Sequence, residues 1–209
     1  MVRPMRGVAG AMVVAMGVLL SAQTAKLVTS WAAPVGAPMS FAGKKVVALA
    51  LTDSLDVKMS AEEAMAREIT ARGPNGVAAY RAIPKEELAS KERAQAWFAK
   101  TNVAGVVAIR VVNVDTTKEY SSVVVGTSYY QNFGSFYDYG VSTIVPIGDP
   151  KEKKTFAIET LLFDIADGGK LLWAGMSETT DPKNIGTFVK GLAKTVGQDL
   201  EKKGLVRKQ

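Results

Sequence analysis

The sequence predicts an α/β fold: a single mixed-sheet domain in which β-α-β-α-β is followed by antiparallel hairpins and a carboxyl-terminal helix. Three observations predict it. Apolar, β-branched runs alternate with helix-patterned segments through the first half, an order that favours parallel pairing of the strands. Two later apolar runs, Thr155 to Ile165 and Lys170 to Thr180, flank Ala166-Asp167-Gly168-Gly169, whose glycines supply the positive φ that a tight hairpin turn needs. After Asp181-Pro182, a cap and a first-turn proline, Ile185, Phe188, Val189, Leu192, Val196 and Leu200 step by three and four residues up to Gly204, which describes one apolar helix face.

Residues 1–25 read as a signal peptide. Arg3 and Arg6 precede an uncharged apolar run from Gly7 to Leu20, and Ser21, Ala22, Thr24 and Ala25 follow as small residues. The run falls short of the roughly 20 residues that span a bilayer core, which favours a cleaved signal over a signal anchor. Residues 26–43, rich in Pro, Ala, Gly and Ser around Trp31, read as an extended tether. An aromatic in such a segment is expected to dock on the domain's own surface.

The α/β domain is expected over 44–206. Lys44 to Thr52 is continuously apolar after its lysines, as in a strand covered on both faces. Ser60 and Glu63 form a capping-box pair ahead of Ala61, Ala64, Met65 and Ile69, and Gly73-Pro74 stops that helix. Val77 to Ile83 is a short second strand. Pro84 suits the first turn of a helix, broken near Ser90, that carries Leu88, Ala94, Trp97, Phe98 and Thr101. Val103 to Val114 is the third strand.

Within this domain an insertion at about 120–147 is rich in Tyr and Gly. Val123, Val125, Thr127 and Tyr129, then Tyr137, Tyr139, Val141, Thr143, Val145 and Ile147, form two period-two runs, which predicts a hairpin with one apolar face. Each run approaches the roughly 9–11 residues of a tilted membrane strand, although an open hairpin leaves edges that lipid does not tolerate, so extension of the sheet is the simpler expectation. Tyr129, Tyr130, Phe133, Phe136, Tyr137 and Tyr139 are spaced by Gly, Ser, Asn and Asp, the composition of an adaptable contact surface, and are the candidate interaction residues.

Composition excludes much chemistry. With no cysteine and no histidine, the chain has no disulfide, no cysteine nucleophile, no thiolate metal site and no Ser-His-Asp triad. No cofactor and no metal site are expected. Loss of Arg3 and Arg6 with the leader lowers 26 basic residues to 24 against 20 acidic ones, a net charge of +4 and an ordinary surface excess. The Lys-rich patches at 151–154 and 202–208 lack aromatics, so nucleic acid is not an expected partner. Gly168-Gly169-Lys170 lacks the phosphate-loop frame and precedes a strand.

Paired acids occur at Asp53 and Asp56, Glu62 and Glu63, Glu86 and Glu87, and Asp164 and Asp167. The glutamates are expected in first helical turns, where negative charge complements the dipole, and Asp167 in a turn. Asp53 and Asp56 follow the carboxyl end of the first strand, where open α/β sheets place ligands, and are the candidate cleft residues.

Lys26-Leu-Val-Thr-Ser-Trp31, Lys44-Lys-Val-Val-Ala48, the aromatic cluster at 129–139 and Leu171-Leu-Trp-Ala-Gly175 together resemble a group of uncharacterised bacterial envelope lipoproteins with a domain of unknown function. More distantly, the layout is similar to the amino-terminal domain of TolB and to the curli secretion lipoprotein CsgG. The resemblance implies an envelope address and an α/β fold, with no catalytic signature. The chain departs from it at Ser21 to Lys26, where the lipid-bearing cysteine is missing. The expectation is a non-catalytic protein exported to the periplasm or cell envelope of a bacterium, binding an envelope protein, itself, or a membrane or peptidoglycan surface through the Tyr-rich segment. The alternative is a periplasmic small-molecule or glycan-binding protein.

Overall fold

The computed structural model describes residues 25–34, 41–113, 132–142, 155–180 and 184–207. Residues 1–24 of the expected signal peptide therefore lie outside the described residues, as do Tyr129, Tyr130 and most of the 120–147 insertion, whereas Ala25 is described and buried.

Strands β1 (Lys26–Ala32), β2 (Lys45–Leu51), β3 (Asn75–Ala78), β4 (Val103–Asn113), β5 (Thr155–Asp164) and β6 (Lys170–Thr180) form one sheet in the order β1-β6-β5-β4-β2-β3. β3, β2 and β4 run parallel; β4, β5, β6 and β1 pair antiparallel. The mixed α/β sheet is thus the fold expected from the sequence. Its parallel half comes from helical crossovers, and its antiparallel half is built on the β5–β6 hairpin, with positive φ at Gly168 and Gly169.

Helices cover both faces. Helices α1 (Leu55–Thr70) and α5 (Ile185–Lys202) pack together on one face, burying Met65, Ile69, Phe188, Leu192 and Val196 against Val107, Ile109 and Leu162. On the other face lie the single turn α2 (Ala79–Ala82), a 3₁₀ turn (Lys85–Leu88), α3 (Lys91–Lys100) and α4 (Phe133–Ser142). Phe98, Phe133, Phe136 and Phe163 meet there, with Phe133 edge-on to Phe98 at 5.3 Å and to Phe163 at 5.6 Å. Among the described residues no helix is long and apolar enough to cross a membrane.

The closing helix ends as its sequence requires. Gly204 has φ 73°, the Leu205 N–H donates to the Leu200 carbonyl and the Gly204 N–H to the Glu201 carbonyl, and buried Leu205 packs back into the core. Trp173 is fully buried, and its indole N–H donates to Asp199 at 2.8 Å.

Four expectations are corrected. Lys26–Ala32, read as tether, is the edge strand β1 against β6, with half-buried Trp31 opposite Ala174. Helix α1 starts at Leu55, capped by Ser54, whose side chain accepts from the Val57 N–H, so Ser60 and Glu63 are interior and form no capping box. The second strand stops at Ala78, because Ala79–Ala82 turns into α2. Phe133–Ser142, expected to contribute to the insertion's hairpin, is helix α4. Phe133, Phe136 and Tyr137 fall at i, i+3 and i+4, and the Asn132 side chain caps the start by accepting from the Ser135 N–H at 3.0 Å.

Candidate functional site

The site follows from where two parallel strands part. β2 and β3 pair only from Lys45 opposite Asn75 to Ala48 opposite Ala78; β2 continues to Leu51 while the chain after β3 coils into α2. Glu62 fills the resulting gap. Its carboxylate, fully buried in the middle of α1, accepts from the Ala50 N–H at 3.0 Å and from the Tyr80 N–H at 2.6 Å. Burial pushes the Glu62 carboxyl above its ordinary value, opposed by the backbone N–H groups of Ala50, Tyr80 and Ala79 and by the charge of Lys58. This side chain ties α1 to both diverging segments and holds them apart.

A cleft of about 810 Å³ opens beside that divergence, over the carboxyl end of β2. Leu49, Leu51 and Ile83 form an apolar floor, and Leu55 and Lys58 from the first turns of α1 form one wall. Tyr80, Lys85, Glu86 and Ala89 form the opposite wall, and Tyr137 from α4 closes the end. The Tyr137 hydroxyl donates to the Leu88 carbonyl, and burial raises its phenol above the usual value. The Tyr80 hydroxyl donates to Glu63 at 2.9 Å and receives the Arg81 Nε–H at 2.8 Å. Both phenols are thereby fixed as parts of the wall.

Asp53 and Asp56, the expected cleft residues, lie next to this opening, but both are exposed and neither lines it. Leu55 and Lys58 share a helix face at i, i+3; Asp56 lies roughly 100° round from Leu55 and sits instead in the first turn of α1, where it complements the dipole. Glu62, expected in a first turn, is the buried acid of the region. Nothing in residue type separates it from Glu63; its place at i, i+3 and i+7 with Met65 and Ile69 on the buried stripe was the available signal.

The aromatic interaction residues divide differently. Phe133, Phe136 and Tyr137 are buried core, joined to Phe163 and Phe98, and so form no free contact surface. Tyr139 is 46% exposed, with the Arg110 guanidinium 4.9 Å from its ring centroid. Arg110 and Glu159 face each other across β4 and β5 in a buried ion pair of 2.7 Å, which Tyr139 and Phe136 cover. Tyr139 therefore shields a buried charge pair at the margin of the core.

A larger opening, about 940 Å³, lies at the opposite end of the sheet, among Lys44, Asn75, Asn102 and the Gly168-Gly169 turn. It is a groove between surface loops at the amino ends of β2 and β4, away from the strand ends that carry ligands in open α/β sheets. Lys45 there is held by the Thr101 carbonyl at 2.7 Å, closing the end of α3.

No family model and no curated protein matches the chain. Among solved structures it is similar to the PelC dodecamer from Paraburkholderia phytofirmans, at 16% identity and a TM-score of 0.47 over 87% of this chain and 97% of that one. A point variant of the same dodecamer gives 16% identity and a TM-score of 0.43 over 80% and 95%.

Proposed function

We propose that this chain is a non-catalytic binding domain of the bacterial cell envelope, and that its ligand occupies the cleft over the carboxyl end of β2. The cleft is the observation that carries the reading. Its volume of about 810 Å³ falls in the range of about 300–1,000 Å³ usual for small-molecule sites, with an apolar floor and a few polar groups at the rim. The envelope address is supported by the basic, apolar and small-residue order of residues 1–25 and by the resemblance to envelope lipoproteins. The absence of histidine and cysteine removes the commonest nucleophile and base pairs, and Glu62, the buried acid nearest the cleft, is committed to backbone N–H groups.

The test is a calorimetric and thermal-shift screen of the protein recovered from cells expressing the full chain, against muropeptides, neutral oligosaccharides and short-chain acids, repeated with Ala89→Trp. Ala89 is exposed on the cleft wall, so an indole there occupies the opening without disturbing the core. Binding that Ala89→Trp abolishes supports the reading. Binding that is indifferent to it, or a blank screen, overturns the assignment of the cleft.

A further inference from the structure

We propose that the cleft selects a small amphipathic anion, its apolar body on the floor and its carboxylate or phosphate head between Lys58 and Lys85; this rests on the binding-domain reading above. Leu55 is the first observation. It is 65% exposed and shares the lining with Leu51 and Ile83, so a large aliphatic side chain stands in water beside an apolar floor. A ligand with an apolar body removes that surface from water, whereas a neutral sugar leaves it without a matching partner.

The second observation is charge. Lys58 and Lys85 line the opening from opposite walls, and neither is held in a salt bridge among the described residues. The acid beneath Lys58, Glu62, already has its oxygens on Ala50 and Tyr80. Glu86 is the carboxylate on the lining, so two cations face one anion there. The hydroxyls of Tyr80 and Tyr137 are engaged elsewhere and do not compete for the ligand head. An anionic head thus finds two ammonium donors, and a cationic head finds repulsion.

Such a head group reaches the protein either on a single molecule in solution or on a lipid in a membrane surface. The cleft's volume of about 810 Å³ and its walls on both sides fit the single molecule. The experiment titrates the protein recovered from cells expressing the full chain with three probes of one chain length: decanoate and decyltrimethylammonium below their micelle concentrations, and decanol below its solubility limit. A fourth arm uses vesicles containing phosphatidylglycerol. Decanoate should bind about three- to tenfold tighter than decanol, the range expected of charge contacts at a partly exposed site, with decyltrimethylammonium weakest. Lys58→Gln and Lys85→Gln should each weaken decanoate and leave decanol unchanged, while Glu86→Gln should strengthen decanoate. Ala89→Trp and, independently, Leu55→Asp should reduce binding of every probe that enters the cleft.

Equal affinities for the three head groups, with Ala89→Trp still blocking all of them, overturn the anion selectivity and leave the cleft standing as a binding site. No binding of any probe, or binding untouched by both blocking variants, overturns the anion proposal and the cleft assignment together. Vesicle binding without decanoate binding overturns the single-molecule ligand.

Discussion

Replacing Glu62 by glutamine changes one atom of a side chain on which two parts of the backbone converge. The carboxylate receives the Ala50 and Tyr80 N–H groups on separate oxygens, at 3.0 and 2.6 Å. Glutamine presents one oxygen and one NH₂, so one of those N–H groups faces another donor. A hydrogen bond to a charged acceptor contributes about 1.5–3 kcal/mol, and a buried donor left unpaired costs about 1–3 kcal/mol. The substitution also removes the cost of ionising a buried carboxyl, which offsets part of the loss. The expected destabilisation at neutral pH is therefore about 1–3 kcal/mol, or about 2–4 °C in Tm for each kcal/mol in a domain of this size. The pH dependence has a definite sign. Because burial raises the folded carboxyl above 4.5, the native state keeps a proton that the unfolded chain has released just above that pH. The contribution of Glu62 is fullest below pH 4.5 and falls as pH rises through its folded pKa. Urea unfolding of wild type and Glu62→Gln across that interval should show a stability gap that narrows as pH rises. Equal midpoints at every pH would refute the role given to Glu62, and a gap that widens with pH would refute the raised carboxyl.

Phe188→Ala, on the buried stripe of α5, should cost about 3–5 kcal/mol of a total near 5–15, whereas exposed Lys190→Ala should barely move the urea midpoint; equal effects would mean that the face is misassigned. Arg110→Ala takes the guanidinium away from the buried Glu159 carboxylate and should cost about 3–5 kcal/mol, much of it recovered in the double variant Arg110→Met, Glu159→Leu. A double variant no more stable than the single one would show that the pair is not the source of the loss. Protein isolated from an envelope fraction should begin between Ala22 and Lys26 by mass spectrometry, and an intact amino terminus would replace the cleaved signal by an anchor.

The elements legible in the sequence are those whose partners lie close in the chain or whose period is long. The step pattern of Ile185 to Leu200 and the Gly168-Gly169 turn needed no tertiary information to read. β1 escaped because its seven residues include Thr29 and Ser30, a register irregularity between Leu27 and Thr29 breaks the alternation, and its partner β6 lies more than a hundred residues away. At α4 the period-two pattern from Tyr137 to Ile147 competed with Phe133, Phe136 and Tyr137 at helical spacing, and the core contacts to Phe98 and Phe163 decided in favour of the helix. The cap lies at Ser54 because β2 already ends at Leu51, so the Ser60 and Glu63 spacing that reads as a capping box falls inside α1. The rule for open sheets points to the carboxyl end of β2, where the candidate cleft lies, but the lining of that cleft was not readable. Leu55, Lys58, Lys85 and Tyr137 come from separate segments and meet only in the fold.

The claim that the carboxyl end of β2 is the binding site is tested most directly by amide chemical-shift mapping on isotopically labelled protein during a decanoate titration. Shifts should gather at Leu51, Thr52, Leu55, Lys58, Ile83 and Ala89 and move together with one saturation curve. Shifts centred on Lys45, Asn102 and Gly168, at the opposite end of the sheet, would contradict it.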